Sequence, residues 1–274
     1  MKNQEAFLRG YKLLSIPILT KDGKSAWPEK FPTAKIDELR DTVGERHFMA
    51  QMMLDPAPIS NARFNIDALR FYSDDFDRKK SRVGDTLITG WALYWDPSSG
   101  RRSADASVCV FLLRDDKNRT AYIHNCIYME KIEDENNYPM STQCNTVLNF
   151  MDENMLRNIS IETNGLGSTL PEILQNEANR RGKSIVINRV TNRDNKALRI
   201  IGAIEPLLTT GRLFAHEKIR DTELLDEMMD WTPTGAARDD GLDAIAGALR
   251  AQPIPIRPCA GALPLLHAKT DFTV

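Results

Sequence analysis

Leu87-Ile88-Thr89-Gly90-Trp91-Ala92-Leu93-Tyr94-Trp95-Asp96 is the stretch on which the reading of this chain turns. Up to Trp95 it is almost wholly apolar, aromatic or β-branched, the composition of a strand buried inside a sheet. Pro97-Ser98-Ser99-Gly100 follows with turn composition, and a second apolar run covers residues 108–113. A carboxylate at the end of a buried strand stands at the sheet's edge, where it can hold a metal ion or a proton. Taken alone, Asp96-Pro97 equally suits an aspartate that closes the turn with its own side chain. Its meaning depends on what the rest of the chain brings beside it.

Working outward, strands over 87–95, 108–113 and 121–128 are joined by short polar turns, the second being Asp115-Asp116-Lys117-Asn118. This spacing predicts a three-stranded antiparallel meander. A helix over 141–155 and the strand Ile159-Ser160-Ile161-Glu162 come next. The pattern then alternates: helix 168–181, strand 184–189, helix 195–208, strand 213–216, and helices over 221–231 and 240–250. The fold class is therefore α/β, a mixed sheet of the meander plus parallel strands, flanked by helices.

Residues 1–85 read as a connector or appendage, with 86–250 as the main domain. The connector has a strand over 13–20, a turn at Asp22-Gly23, and a helix begun by Thr33 with Ile36, Leu39 and Val43 on one face. A second helical patch covers 48–54, and residues 74–80 are charged and expected to be exposed. Pro253, Pro255, Pro258 and Pro264 mark 251–274 as an extended or disordered tail.

Composition narrows the classes. The 274 residues are 42% hydrophobic and 27% charged, as in ordinary soluble proteins. No apolar run approaches the ~20 residues that span a bilayer, and no apolar segment follows the first residues as in a secretory signal. A cytoplasmic chain with no membrane partner is expected. Cys109, Cys126, Cys144 and Cys259 include no C-x-x-C pair, and His47, His124, His216 and His267 show no ligand spacing. Any metal would be held by oxygen. With 36 Lys plus Arg against 38 Asp plus Glu, the net charge of −2 neither announces nor excludes nucleic acid. Local basic groups exist at Arg78-Lys79-Lys80 with Arg82, at Arg101-Arg102, and at Arg180-Arg181 with Lys183. Gly23-Lys24-Ser25 has Ile18 where a phosphate loop needs its first glycine, and Gly165-Leu166-Gly167 has Leu170 where a dinucleotide loop needs its third. No ATP site is visible.

Three acidic sites end or begin regular elements: Asp96, Glu162, and the group Asp239, Asp240 and Asp243. If the first and fourth strands are neighbours, Asp96 and Glu162 stand side by side, which requires something positive between them. With no lysine or histidine at equivalent positions, a divalent cation such as Mg²⁺ is the candidate. The chemistry this suits is two-metal phosphodiester hydrolysis, with ions ~3.5–4 Å apart. The structural alternatives are a strand-end turn at Glu162-Thr163-Asn164-Gly165 and a capped helix start at Asp239-Asp240. On the last helix Leu242, Ile245, Ala246 and Leu249 form the buried stripe, with Asp243 at its edge, Asp239 at the N-cap and Asp240 in the first turn. Asp243 and Asp240 are the candidate ligands there.

Taken in order, Trp95-Asp96-Pro97, Asp105-Ala106-Ser107, Ile161-Glu162-Thr163-Asn164-Gly165-Leu166-Gly167 and Asp239-Asp240-Gly241-Leu242-Asp243-Ala244 resemble the C-terminal nuclease domain of bacteriophage large terminase subunits. Asn195-Lys196, Arg199-Ile200, Pro206 and Gly211-Arg212 are similar to that family's connecting helix. The resemblance covers about residues 86–249, and Gly44, Phe48, Met52 and Asp55-Pro56 are similar to the link between motor and nuclease. It implies an RNase H-like fold and an endonuclease that cuts concatemeric viral DNA during packaging. Asp96, Glu162, Asp240 and Asp243 would hold Mg²⁺ or Mn²⁺, two ions in all, with Asp105 as an auxiliary. The implied partners are double-stranded DNA, the ATPase motor, the small terminase subunit and the portal. Family members often carry histidine where Arg238 precedes the paired aspartates, and the motor's motifs are missing from the chain. A catalytically silent module binding DNA or a packaging partner, or another RNase H-like nuclease such as a junction resolvase, stays open as an alternative.

Overall fold

A computed structural model describes residues 14–43, 48–55, 64–98, 106–115, 117–129, 139–164, 168–235 and 237–251. Helix α1 (Thr33–Val43) comes first, followed by the short strands β1 (Arg70–Tyr72), β2 (Phe76–Asp77), β3 (Arg82–Val83) and β4 (Thr86–Leu87). The meander is β5 (Gly90–Asp96), β6 (Ser107–Asp115) and β7 (Thr120–Met129). Helix α2 (Pro139–Glu153), β8 (Asn158–Glu162), α3 (Leu170–Arg180), β9 (Val186–Val190) and α4 (Lys196–Thr209) alternate after it. The described chain closes with β10 (Leu213–His216), α5 (Leu224–Asp230) and α6 (Asp240–Ala251).

Seven strands form one sheet in the order β1-β10-β7-β6-β5-β8-β9. The meander pairs antiparallel, while β5 with β8, β8 with β9, β7 with β10 and β10 with β1 are parallel. Only β6 therefore runs against the rest of this sheet. The turn between β6 and β7 is built by Asp115, whose Oδ1 accepts from Lys117 N at 2.8 Å. The antiparallel meander and the parallel strands beyond it are as the alternation of the sequence implies.

Strand parity sorts the side chains onto two faces. Ala92 and Tyr94 of β5 join Val108, Val110 and Leu112 of β6 under α4, α5 and α6, with Ile200, Ile204, Leu242 and Ile245 packed on them. Leu93 and Trp95 face the other way with Phe111 and Leu113, under Leu148 and Met151 of α2 and Leu174 of α3. Both faces are covered, which is why β5 reads as continuously apolar. Cys109, Cys126 and Cys144 are buried free thiols in these layers.

The early part of the chain departs from its expected form. Leu87 does not continue into β5; it pairs through β4 with β3, and β3 pairs with β2, in a separate three-stranded sheet. Residues 74–80, expected to be merely exposed, include the β2 strand of that sheet. Arg70–Tyr72 forms the outer strand of the main sheet, fastened by the Tyr72 hydroxyl against His124 Nδ1 at 2.8 Å. The strand expected over 13–20 is reduced to a single bridge between Leu19 and Ser25. The patch expected over 48–54 is one turn of π-helix, Phe48–Met52.

Helix α6 lies unusually low on the sheet. From Asp240 to Leu249 every residue is buried, so the helix has no solvent face of the kind its amphipathic stripe implies. Glycines make the approach possible: a Cβ on Gly247 would stand 2.3 Å from the Tyr94 ring, and one on Gly241 1.9 Å from the Tyr128 hydroxyl. Gly247→Ala is expected to force helix and ring apart and to destabilise the fold by about 1–3 kcal/mol, the range for overpacked cores. Urea unfolding checks this; an unchanged midpoint would show that the close contact carries no weight.

Candidate metal centre at the ends of β5 and β8

In the parallel ladder Tyr94 pairs with Ser160 and Trp95 with Ile161. One step further in the same register are Asp96 and Glu162, the last residues of their strands. By parity both belong to the face of Tyr94, under α4 and α6. Those two helices are placed to add further groups to the pair.

Glu162 is held firmly. Its Oε2 accepts from the Tyr94 hydroxyl at 3.0 Å and from Asn192 Nδ2 at 2.8 Å, and its Oε1 accepts from Asn164 Nδ2 at 2.9 Å. Asn164 also donates to the Asn192 carbonyl at 2.7 Å, tying the ends of β8 and β9 together. The Tyr94 hydroxyl is kept protonated, its pKa raised by burial and then by the Glu162 charge. Asp96 is different. No hydrogen bond reaches its carboxyl among the described residues, and burial, then Asp243, then Glu162 raise its pKa well above the ordinary carboxylate value. The residue is only half-buried overall, so this crowding is of the carboxyl itself.

Positive charge does stand near the pair, which corrects the expectation from sequence. Asn195 caps α4, its Oδ1 accepting from Leu198 N at 3.2 Å, and so sets Lys196 and Arg199 on the turns facing α6. Buried Arg199 grips buried Asp243: Nε to Oδ1 is 2.8 Å, and Nη2 lies 2.6 Å from both Oδ1 and Oδ2. Its Nη2 is also 3.9 Å from Glu162 Oε2. Lys196 Nζ lies 2.7 Å from Asp239 Oδ1 and 3.5 Å from Asp243 Oδ2. Burial works against the Lys196 ammonium, but Asp239 and Asp243 outweigh it and hold its pKa above the usual lysine value.

Among the candidates, Asp96, Glu162 and Asp243 gather at the strand ends. Asp240 is engaged elsewhere, its Oδ2 accepting from Ala106 N at 2.9 Å and so pinning the start of β6. Asp239 precedes the helix as expected, yet its side chain goes to Lys196 and to the Trp231 indole at 3.4 Å. The capping falls to Glu227 of α5, whose Oε2 accepts from Gly241 N at 2.8 Å and Leu242 N at 3.3 Å. Asp105, Arg101, Arg102 and Gly165-Leu166-Gly167 lie outside the described residues. Tyr94, Asn164, Asn192, Lys196, Arg199 and Glu227 were not among the site residues expected from sequence. Parity with Asp96 was the available signal for Tyr94; the others depend on which helices and loops meet.

The donors are all oxygens, and among the described residues no hydrogen bond reaches the Asp96 carboxyl, which in kind suits a hard divalent cation. Among the described residues, however, no three His, Cys, Asp or Glu side chains stand close enough together to hold one as arranged. Both oxygens of Asp243 are already taken by Arg199.

A mixed sheet whose meander is extended by parallel strands, with acids ending two adjacent central ones, is the arrangement expected from the RNase H-like resemblance of the sequence. Residues 116–213 match the family model described as Terminase Bacteriophage T7, Ribonuclease H-like domain. The matched segment includes Glu162, Lys196 and Arg199 and stops short of Asp243. Similar solved structures include the P22 large terminase nuclease domain, at 12% identity over 71% of this chain and 95% of that one, TM-score 0.48. The large terminase nuclease of thermophilic phage G20c with bound zinc is 16% identical over 68% and 95%, TM-score 0.40. The g2p nuclease domain of bacteriophage SPP1 with bound Mn is 12% identical over 69% and 98%, TM-score 0.43. No curated protein matches the sequence.

Glu227 supplies a test of the helix start. Burial raises its pKa to about 7, Asp240 adding to the rise and the Gly241 and Leu242 amides opposing it. Between its ordinary value and about 7 the folded chain keeps a proton that the unfolded chain has released, so stability falls as pH rises through that window. Glu227→Gln keeps an acceptor for the amides and removes the charge. It is expected to raise stability at pH 8, by at most about 3 kcal/mol, and to change little below pH 4.5. Thermal melts at the two pH values check this; equal effects at both would show that the charge is not the cause.

Proposed function

We propose that this chain is a metal-dependent DNA endonuclease that cuts concatemeric viral DNA during phage genome packaging. The observation that carries the reading is the placement of Asp96 and Glu162 on adjacent parallel strand ends, on the face where Asp243 enters from α6. The terminase family match over residues 116–213 supports the same reading. In it, residues 86–250 with the edge strand Arg70–Tyr72 are the nuclease unit, the rest of 1–85 a connector and 251–274 a tail. Double-stranded DNA is the substrate, and the motor, small subunit and portal are the packaging partners. No helix among the described residues is long and apolar enough to cross a membrane.

Asp96, Glu162 and Asp243 would hold Mg²⁺ or Mn²⁺, as two ions in this reading, with Asp240 a lesser candidate because Ala106 N already occupies it. Such ions supply an activated water and stabilise the leaving oxygen of a phosphodiester. The chain's own groups do the positioning. Tyr94, Asn164 and Asn192 fix both oxygens of Glu162 with neutral donors, so the carboxylate keeps its direction. Asp96, without such donors, is free to adjust to what it binds. Lys196 and Arg199 bring positive charge to the same strand ends, where a phosphate would also be welcome.

A catalytically silent DNA-binding module is the second reading, favoured by one observation: no three acidic groups converge among the described residues. Plasmid nicking in Mn²⁺ or Mg²⁺ separates the two. The wild-type chain is expected to nick, and Asp96→Ala and Glu162→Ala to fall to background. Nicking that survives both substitutions would overturn the site, and gel retention of DNA with no nicking would favour the silent module.

A further inference from the structure

Arg199 stands against one of the proposed metal ligands, Asp243. It is buried, permanently charged, and commits its fork to the one carboxylate that α6 brings to the strand ends. Two of its three short contacts to Asp243 are 2.6 Å, and the nearest Glu162 oxygen is 3.9 Å from the same nitrogen. A buried carboxylate cluster without a counter-ion would be strongly destabilised by repulsion and desolvation, and Arg199 offsets that. It does so by covering both oxygens of Asp243.

Arg199 also borders a groove. The groove, a cavity of about 520 Å³, is lined also by Asp194, Asn195, Leu198, Gly202, Ala203 and Arg250. Two of the residues lining it, Gly202 and Ala203, have small side chains. Asp194 stands at the cavity as an alternative acidic partner, held by Arg250 at 2.8 Å. Arg199 thus lies between the acidic cluster and a groove that carries a second carboxylate, Asp194.

We propose that Arg199 is the resident counter-ion of this cluster: it holds Asp243 in the metal-free chain and must turn toward the groove before Asp243 can join Asp96 and Glu162 on a divalent ion. The proposal rests on the reading of those three residues as a metal centre. Arg199 is thus a positioning residue, and it sets the concentration of metal at which the centre assembles. Removing it has two opposite effects, since the metal-free fold loses a buried ion pair while the cation loses a competitor.

The test measures Mn²⁺ binding directly, from the electron paramagnetic resonance signal of free Mn²⁺, together with melting temperatures with and without Mn²⁺. Arg199→Ala is expected to melt lower than wild type without metal, to gain more on adding Mn²⁺, and to bind it at least about tenfold more tightly, the scale on which groups behind metal ligands act. Arg199→Lys keeps the charge without the fork, and should fold and tighten binding in the same direction if the alanine variant does not fold. Wild-type binding that is lost in Asp96→Ala but not tightened in either Arg199 variant would overturn the proposal and leave the metal reading standing. No Mn²⁺ binding by any of the proteins would overturn both.

Discussion

The parallel ladder between β5 and β8 ends with Asp96 beside Glu162, and the rest of the molecule is arranged around that juxtaposition. Backbone pairing fixes the distance between the two strands, and strand parity sends both carboxylates to one face. Two like charges so placed cannot be left alone in a sheet covered on both sides. The neighbouring elements answer this in different ways. Neutral donors from β5 and the ends of β8 and β9 settle Glu162, and cations from α4 settle Asp243 and Asp239. Asp96 is left with its carboxyl buried and crowded by like charge, and both raise its pKa.

Helix α6 is the second constraint. Its glycines let it sit against the Tyr94 and Tyr128 rings, and the depth of that seat determines how far Asp243 reaches toward the strand ends. The same ring of Tyr94 that receives Gly247 also carries the hydroxyl that donates to Glu162, so packing and site geometry share one side chain. The helix start depends on a carboxylate borrowed from α5, because the residues that would cap it are engaged elsewhere. Asp239 is drawn to Lys196 and Asp240 to the first amide before β6. Local capping has been given up in favour of tertiary contacts, a loss that Glu227 restores.

Much of this was legible in the sequence, and the reasons differ by residue. The unbroken apolar run before Asp96 reports burial on both faces, and the alternation after the meander reports parallel strands. Asp96, Glu162 and Asp243 could be singled out because each lies at an element boundary where a charged group is otherwise hard to place. Asp240 looked equivalent to Asp243, since a first-turn aspartate has no direction until the helix is docked; its engagement with Ala106 depends on contact across 134 positions. Arg199 entered only within the stretch similar to the family's connecting helix, and its contact could not be read for the same reason. An arginine within the apolar face of a helix reads as a surface group, and only the crossing of α4 with α6 turns it into a buried partner for Asp243. The strand at Arg70–Tyr72 is too short to announce itself, and it exists because β10 offers an edge.

The central claim is that the ends of β5 and β8 form a cation site. Crystals grown or soaked in Mn²⁺ and measured at the manganese absorption edge test it most directly. We predict an anomalous peak bounded by the carboxylates of Asp96 and Glu162, with Arg199 displaced from Asp243. A well-ordered site that shows no such peak at millimolar Mn²⁺, or manganese bound only elsewhere on the molecule, would contradict the claim.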